Sequence, residues 1–242
     1  MSEVAEERIK KQAEPVPDPG EVILIDKPVT WTSFDVANKL KRACKFSKIG
    51  HAGTLDPLAT GLLILCTGKK TKEIDTYQAQ EKTYTGTLVL GKTTPSVDLE
   101  TEFDGTYPVD HIPGTDRIEK AAIALTGELD QKPPVYSAVR MGGERLYKKA
   151  RRGEEVEVKT RKVTVRSFET DTADFPEVHF KIVCSKGTYI RSLVRDFGEL
   201  LDSGAYLKAL RRTRIGDFDV KDAWELETFI RQKREVLGLA NE

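Results

Sequence analysis

Lys48–Gly61, KIGHAGTLDPLATG, is the most informative stretch of the chain. Its glycines allow tight backbone turns, and Pro57 disfavours a helical conformation at the preceding Asp56. The short apolar run Leu62–Thr67 follows and predicts a buried strand. We therefore expect Asp56 on a loop just before a rigid strand, where catalytic side chains are common. An Asp-Pro turn with a purely structural aspartate fits the same residues.

Strand and helix patterns are mixed on both sides of this loop. A strand is predicted at Glu21–Asp26, and a helix runs from Thr32 or Ser33 to about Cys44. Strands that occur in runs, as well as alternating with helices, favour an α+β fold with a mixed, mostly antiparallel central sheet flanked by helices. Further strands are predicted at Tyr84–Leu90, Val163–Phe168, Glu177–Cys184 and Tyr206–Phe218, and further helices at Ala121–Leu125, Thr188–Leu201 and Asp222–Leu237.

Length and composition indicate an ordinary globular protein. The 242 residues are 32% charged and 38% hydrophobic, and no apolar run approaches the roughly 20 residues of a membrane span. Residues 1–19 are polar, acidic and contain three prolines, which predicts a flexible tail before a single domain over 20–242. Three scattered cysteines exclude a disulfide framework and a zinc ribbon. We expect a soluble, cytoplasmic protein.

The charges are strongly partitioned along the chain, although 39 basic and 39 acidic residues cancel. Lys39–Gly50 has five basic residues and no acidic ones, and Arg140–Arg166 has ten basic and four acidic. Ser96–Glu119, in contrast, has one basic and seven acidic residues. Such blocks predict a basic face that binds a polyanion. Ordinary solvated helix faces are the alternative for any single block.

Six motifs, in order along the chain, resemble those of the TruB family of tRNA pseudouridine synthases. The longest is Gly50–Gly61, which is similar to the family's active-site motif at nearly every position. The resemblance extends from about Gly20 to Asp219. The other motifs are Asp26-Lys27-Pro28, Lys82-Thr83-Tyr84, Pro133–Ala138 with Arg145–Gly153, Cys184–Arg191 and Leu207–Thr213.

The resemblance implies a pseudouridine-synthase fold and the isomerisation of uridine to pseudouridine, at uridine 55 in the TΨC loop of tRNA. It implies that Asp56 is the catalytic carboxylate, that Arg191 keeps it ionised, and that Tyr84 lies against the target base. From the residues alone, Tyr84 also fits a core aromatic and Arg191 a solvated helix residue. Substrate-binding roles are implied for His51, Leu210, Asp98, Lys27 and Tyr189.

The insertion, residues 131–153, matches the mobile RNA-gripping segment of the family. Its second half predicts a short basic helix from Arg145 that ends at Gly153. A membrane-surface helix or a partner helix fits the same pattern. In the family reading, the basic side chains clamp phosphates and give affinity that falls with salt. The predicted RNA contacts are Arg145, Lys148, Lys149, Arg151 and Arg152 on the insertion, and Arg211 and Arg212 on the late strand.

The resemblance also implies which partners the protein needs. The isomerisation exchanges neither electrons nor groups with a cofactor, so no cofactor or metal is expected. Many family members carry a further RNA-binding domain, but only 24 residues follow Phe218 here. We therefore expect a stand-alone, bacterial-type enzyme that acts as a monomer on the TΨC arm. The alternative is an RNA-folding factor that traps and releases tRNA, with modification secondary.

Overall fold

The computed structural model describes residues 19–112, 114–137, 140–141, 143–146, 152, 154 and 158–239. Residues 1–18 of the predicted tail lie outside this part of the chain. The strands are β1 (Val22–Lys27), β2 (Ile49–His51), β3 (Thr60–Thr67), β4 (Lys82–Leu90), β5 (Lys92–Thr93), β6 (Gly105–Thr106), β7 (Gly127–Gln131), β8 (Arg140–Met141), β9 (Glu144–Arg145), β10 (Arg161–Asp171), β11 (Glu177–Cys184), β12 (Ala205–Ile215), β13 (Phe218–Asp219) and β14 (Trp224–Glu225). The α-helices are α1 (Ser33–Ala43), α2 (Ile74–Ala79), α3 (Thr115–Ala124), α4 (Ile190–Leu200) and α5 (Leu226–Val236).

Ten strands of the described chain form one sheet in the order β14-β1-β3-β12-β4-β11-β10-β7, with β13 paired to β12 and β2 to β3. The neighbours run antiparallel except in the pairs β12–β3 and β1–β14, which are parallel. The strands β5–β6 and β8–β9 form two small separate ribbons. The predicted α+β fold with a mixed, mostly antiparallel central sheet is therefore confirmed.

Two groups of helices cover the sheet. Each helix packs its apolar side against the strands and leaves its polar side to solvent. α3 and α4 pack on β4, β10, β11 and β12, and α1 and α5 pack on β1 and β3. Along β3, Leu62 and Ile64 belong to one buried cluster and Leu63 and Leu65 to another. This double burial explains why β3 is a continuous apolar run rather than an alternating one.

The parallel pair β3–β12 places the candidate site. The pairing with β3 begins only at Arg211 of β12. On the side of β12 that faces β3, the residues before Arg211 can therefore pair with another segment. Asp98 forms an isolated bridge to Leu207 there. Gly61 is needed at the junction, because a Cβ on it would lie 2.3 Å from the carbonyl oxygen of Arg212. The loop before β3 and the segment around Asp98 therefore meet beside the first half of β12.

The end of the chain differs from its prediction. The last helix begins at Leu226 rather than Asp222, because Trp224–Glu225 pairs in parallel with β1. The late strand ends at Ile215 rather than Phe218, because Gly216 turns the chain with a φ of 52°. Neither difference moves the residues that form the candidate site.

Candidate active site

Asp56 lies on the loop between β2 and β3, where the sequence predicts it. Gly53 and Gly61 flank it with φ angles of 95° and 101°, which glycine adopts most readily. Ser33 Oγ accepts a hydrogen bond from the Leu55 N–H at 2.9 Å and donates one to the Leu55 carbonyl oxygen at 3.3 Å. The backbone before Asp56 is thus fixed, while the Asp56 side chain is 34% exposed and accessible to a substrate.

Arg191 is the direct partner of Asp56. Its Nε donates to Asp56 Oδ2 at 2.9 Å and lies 3.6 Å from Asp98 Oδ2. Its Nη1 and Nη2 donate to the carbonyl oxygens of Ser96 and Tyr136 at 3.0 and 2.8 Å. Burial opposes the charge of Arg191, but the two carboxylates outweigh it and raise the pKa of the guanidinium. A solvated helix position is therefore excluded, since the side chain is 3% exposed.

Asp98 lies in a tight turn that presents its carboxylate to the arginine. The hydroxyls of Thr94 and Ser96 both donate to the Asp98 carbonyl oxygen, at 2.7 and 3.2 Å. Burial raises the pKa of the Asp98 carboxyl group, although the hydrogen bond of Ser96 and the charge of the arginine act in the opposite direction. The preceding Val97 has a φ of 63°, which is strained for a β-branched residue. Such strain is concentrated at functional sites.

A narrow cleft separates Asp56 from β12. Leu210, which is 9% exposed, lines it, and the 8% exposed Tyr84 lies on the same face of the sheet in the neighbouring strand β4. Burial raises the pKa of the Tyr84 hydroxyl. The volume of the cleft is about 10 Å³, roughly the space of one water molecule. Besides Asp56 and Asp98, it is lined by Leu58, Ala59, Leu207, Lys208, Ala209 and Leu210.

The described residues offer few other kinds of site. They hold no group of three or more His, Cys, Asp or Glu side chains placed to bind a metal ion. Cys44, Cys66 and Cys184 are buried free thiols. None of the helices described is both long and apolar enough to span a membrane.

Two family models together match most of the chain. One, described as the N-terminal domain of TruB family pseudouridylate synthases, matches residues 41–190. The other, described as the C-terminal domain of tRNA pseudouridylate synthase B, matches residues 191–236. The chain belongs to the TruB family. The first match contains Asp56 and the second begins at Arg191, so the pair of residues joins the two matched regions.

Curated relatives and solved structures agree with this membership. A protein of Flavobacterium johnsoniae named tRNA pseudouridine synthase B is 54% identical over 87% of this chain and 94% of its own length. One of Phocaeicola vulgatus with the same name is 50% identical over 87% and 92%. A chain in the Cbf5–Nop10–Gar1 complex is 28% identical, with a TM-score of 0.68 over 90% of this chain. The present chain spans only 56% of that protein.

Lys27 supports the loop that carries Asp56. It is fully buried, and its Nζ donates to the carbonyl oxygens of Pro28, Trp31 and Pro57 at 2.8, 2.6 and 3.2 Å. Burial lowers its pKa to about 8. Its ammonium group therefore contacts the residue after Asp56 rather than the open side of the cleft.

His51 and Tyr189 lie close in sequence to Asp56 and Arg191. His51 ends β2, and its Nδ1 is buried without a hydrogen-bond partner in the described chain. Burial, followed by the charge of Arg212, lowers its pKa. Tyr189 caps α4, where its N–H donates to Gln131 Oε1 at 2.8 Å and its ring packs under the guanidinium of Arg161 at 4.4 Å. Tyr189 therefore links α4 to the start of the insertion.

The predicted RNA contacts are only partly visible. Lys148, Lys149 and Arg151 lie outside the described residues, and Arg145 is described only as a backbone position in β9, not in the predicted helix. Arg152 is exposed and paired with Glu144 and Glu154. Arg211 is partly exposed and forms two hydrogen bonds to Asp26, at 2.9 and 2.6 Å. Both arginines would have to exchange an acidic partner for a phosphate.

Arg212, which the sequence predicts as an RNA contact, lies in the interior of the protein. The side chain is 1% exposed because β12 turns it towards the core, on the same face as Leu210.

Ser33 was missed, since the sequence offers it only as an alternative helix cap. Thr32 takes that cap with Asp35, which leaves the Ser33 hydroxyl for the loop. Two adjacent hydroxyl residues, where one suffices as a cap, are the signal for this second role.

Proposed function

We propose that this chain isomerises uridine 55 in the TΨC loop of tRNA to pseudouridine. The observation that carries the proposal is the half-exposed Asp56 carboxylate held by the buried Arg191 at 2.9 Å, beside an apolar cleft. Curated relatives at 54% and 50% identity carry the name tRNA pseudouridine synthase B. The same pair of residues lies in the motifs that match the family.

The chemistry requires an ionised carboxylate at the target nucleotide. The bond from ribose C1′ to base N1 breaks, the base turns, and a bond from C1′ to C5 forms. C5 loses its hydrogen and N1 gains a proton, so the product is an isomer of the substrate. Asp56 attacks the base, attacks the sugar or removes a ribose proton, and each route starts from the anion. A neighbouring guanidinium favours that charged form and fixes its direction.

The target base must reach Asp56 by leaving its stack. Flipping a base costs a few kcal/mol, and stacking on an aromatic side chain returns about 1–3 kcal/mol. Leu210 provides an apolar surface in the cleft, and Tyr84, on the same sheet face in β4, is the aromatic side chain proposed to reach the base.

The wider grip on tRNA is assigned to the insertion. The block Arg140–Arg166, with ten basic and four acidic residues, supplies phosphate contacts. A folded arm is recognised by shape and splayed bases rather than by a linear sequence. We expect the protein to act in the cytoplasm as a monomer. Sedimentation with and without tRNA tests the oligomeric state. A stable dimer that binds one tRNA would contradict that expectation.

Tritium release tests the proposed reaction. A tRNA transcript labelled at C5 of uridine is incubated with wild type, Asp56→Asn and the control Asp202→Asn, whose carboxylate is 82% exposed and not among the residues that line the cleft. We expect stoichiometric release with wild type and the control, and none with Asp56→Asn despite unchanged tRNA binding. Full release by Asp56→Asn sinks the assignment of Asp56, and no release by wild type sinks the reaction.

An RNA-folding role is the second candidate, favoured by the basic insertion. It predicts that Asp56→Asn still accelerates tRNA refolding, whereas replacing Lys148, Lys149, Arg151 and Arg152 by glutamine abolishes the effect. Native gels that follow refolding of a misfolded transcript measure both. An equal refolding rate with and without wild-type protein removes this candidate.

A further inference from the structure

Arg212 is a buried cation without an acidic partner. Its Nε donates to the carbonyl oxygen of Leu62 at 2.8 Å and its Nη2 to that of Gly53 at 3.1 Å. No acidic side chain of the described residues lies within ion-pair distance of it. Burying a charge in this way is costly unless several groups satisfy it. An apolar residue of similar volume would fill this position at a lower cost in stability. The buried charge therefore indicates a function other than packing.

The carbonyl contacts of Arg212 complete a regular pattern along the catalytic loop. Three alternate carbonyl oxygens of this loop, at Gly53, Leu55 and Pro57, are each held by a side chain from a different element. Arg212 in β12 holds the first, Ser33 in α1 the second and Lys27 in β1 the third. Buried cations therefore bind the backbone on both sides of Asp56: Arg212 at Gly53 before it, and Lys27 at Pro57 after it.

The charge of the same guanidinium also acts on the side chains of Tyr84 and His51. Arg212 lies directly opposite Tyr84 in the β12–β4 pair, and its charge opposes the rise that burial causes in the pKa of the Tyr84 hydroxyl. It contributes, after burial, to the lowered pKa of His51. The close approach of β12 to Gly61 fixes its position, since the backbones are in contact there. Arg212 thus connects Gly53, His51 and Tyr84.

We propose that Arg212 is a positioning residue of the active site, which holds the first half of the catalytic loop so that Asp56 points into the cleft. The expected effect of Arg212 on the rate constant rests on the proposed reaction. Its expected effect on the order of the loop does not. Arg212 acts through the loop and does not touch the RNA. A displacement of about 1 Å in a catalytic group is enough to cost on the order of 100-fold in rate.

Single-turnover kinetics separate this role from an RNA contact. The variants are Arg212→Lys, Arg212→Gln and the controls Arg214→Lys and Arg214→Gln, on the same strand but with a side chain 50% exposed. We expect Arg212→Gln to lower the rate constant by about 10- to 100-fold, and Arg212→Lys to recover part of it, because the charge returns without the planar fork. The dissociation constant of tRNA and its salt dependence should stay within about 2-fold of wild type, because no phosphate contact is lost.

Two outcomes overturn the proposal. A rate constant equal to wild type in Arg212→Gln removes the positioning role. A weaker tRNA affinity with a salt slope reduced by about 1, at an unchanged rate constant, makes Arg212 a phosphate contact instead. The Arg214 controls calibrate the general effect of removing a charge from β12.

Hydrogen exchange tests the same proposal without any activity. The Ala59 N–H donates to the Asp56 carbonyl oxygen at 3.1 Å, and its exchange reports the order of the loop. We expect faster exchange of residues 50–60 in Arg212→Lys, at unchanged exchange in α5, and no change in Arg214→Lys. If wild type releases no tritium, the proposed function fails while this result still decides the role of Arg212. If Arg212→Gln does not fold, the lysine variant carries the test, and unchanged exchange in it overturns the proposal.

Discussion

Arg191 donates from Nη2 to the carbonyl oxygen of Tyr136 at 2.8 Å. The same guanidinium holds Asp56 through Nε at 2.9 Å, so one buried side chain contacts both the loop before β3 and the first residues of the insertion. A second contact lies beside it, where Ser192 Oγ donates to the Lys132 carbonyl oxygen at 2.8 Å. The start of the insertion is thereby fixed to α4, next to the carboxylate.

Arg191→Lys should separate these functions. A lysine keeps the positive charge but cannot donate in three fixed directions from a planar group. We expect single-turnover tritium release to fall by at least about 100-fold, because the carboxylate loses its orientation. The affinity for tRNA should change by less than about 3-fold, as the basic residues of the insertion remain. Arg195→Lys, on the same helix, is the control, because Arg195 also reaches the Lys132 carbonyl oxygen at 3.3 Å but pairs with Asp196 instead of Asp56. Wild-type rates in Arg191→Lys would show that the planar group and its hydrogen bonds to Asp56, Ser96 and Tyr136 are dispensable.

Gly61→Ala should destabilise the protein strongly. A Cβ there would lie 2.3 Å from the carbonyl oxygen of Arg212, and the φ of 101° is unfavourable for any other residue. We expect a loss of more than about 2 kcal/mol in the free energy of unfolding by urea. Gly238→Ala is the control, because its φ is 64° but nothing lies within 4 Å of the added Cβ. That variant should lose only about 1 kcal/mol. Equal losses in both would rule out the backbone contact as the cause.

The sequence predicts the residues of the site better than their burial. The order of motifs and the Asp-Pro step suffice to predict Asp56 before β3, and the resemblance identifies Arg191 and Asp98 as its neighbours. The position of Arg212 could not be predicted, because β12 changes register against β4 between Leu207 and Ala209 and again after Arg212. Such irregularities shift the alternation of inward and outward side chains without a signal in composition.

The contacts between distant segments were equally hidden. The Ser33 bond to Leu55 joins residues 22 apart in sequence, and the Arg212 bond to Gly53 joins residues 159 apart. Periodicity predicts which element a residue belongs to, but not which loop reaches it. The sheet order supplies that information, since it places β12 directly beside β3.

Thr30→Gly should stabilise the protein. Thr30 has a φ of 72°, a left-handed conformation that costs a residue with a side chain about 1–2 kcal/mol. The Thr30 N–H donates to the Pro57 carbonyl oxygen at 2.9 Å, and glycine keeps this backbone bond. Part of the gain is offset because glycine has more freedom in the unfolded chain, so we expect about 0.5–1 kcal/mol in urea unfolding. Val29→Gly, at an exposed neighbour, controls for the general cost of glycine. A loss in Thr30→Gly as large as in that control would contradict the strain.

The stability of the protein should rise between pH 8 and pH 9. Burial lowers the pKa of Lys27 and of Lys82 to about 8, against an ordinary value of 10.5. In this range the unfolded chain binds more protons than the folded one, so the free energy of unfolding increases with pH. Each lysine contributes up to about 1 kcal/mol over the unit. Two buried thiols oppose this rise in part, increasingly so as the pH passes 9, the ordinary pKa of cysteine, because burial raises the pKa of Cys66 to about 11 and of Cys184 to about 12. The folded state then keeps thiol protons that the unfolded chain has lost.

Urea unfolding at pH 7, 8, 8.5 and 9 measures this rise, and Lys82→Met assigns it. Lys82 donates to the carbonyl oxygens of Gln78 and Gln80 and lies outside the loop contacts of Lys27. Its removal should therefore reduce the rise between pH 8 and pH 9 by at least half, because one of two equally shifted lysines remains and the thiols still oppose it. Lys181→Met, at a side chain 52% exposed, should leave the rise unchanged. A wild-type stability that falls steadily from pH 8 would mean that the two ammonium groups are better solvated than their burial indicates.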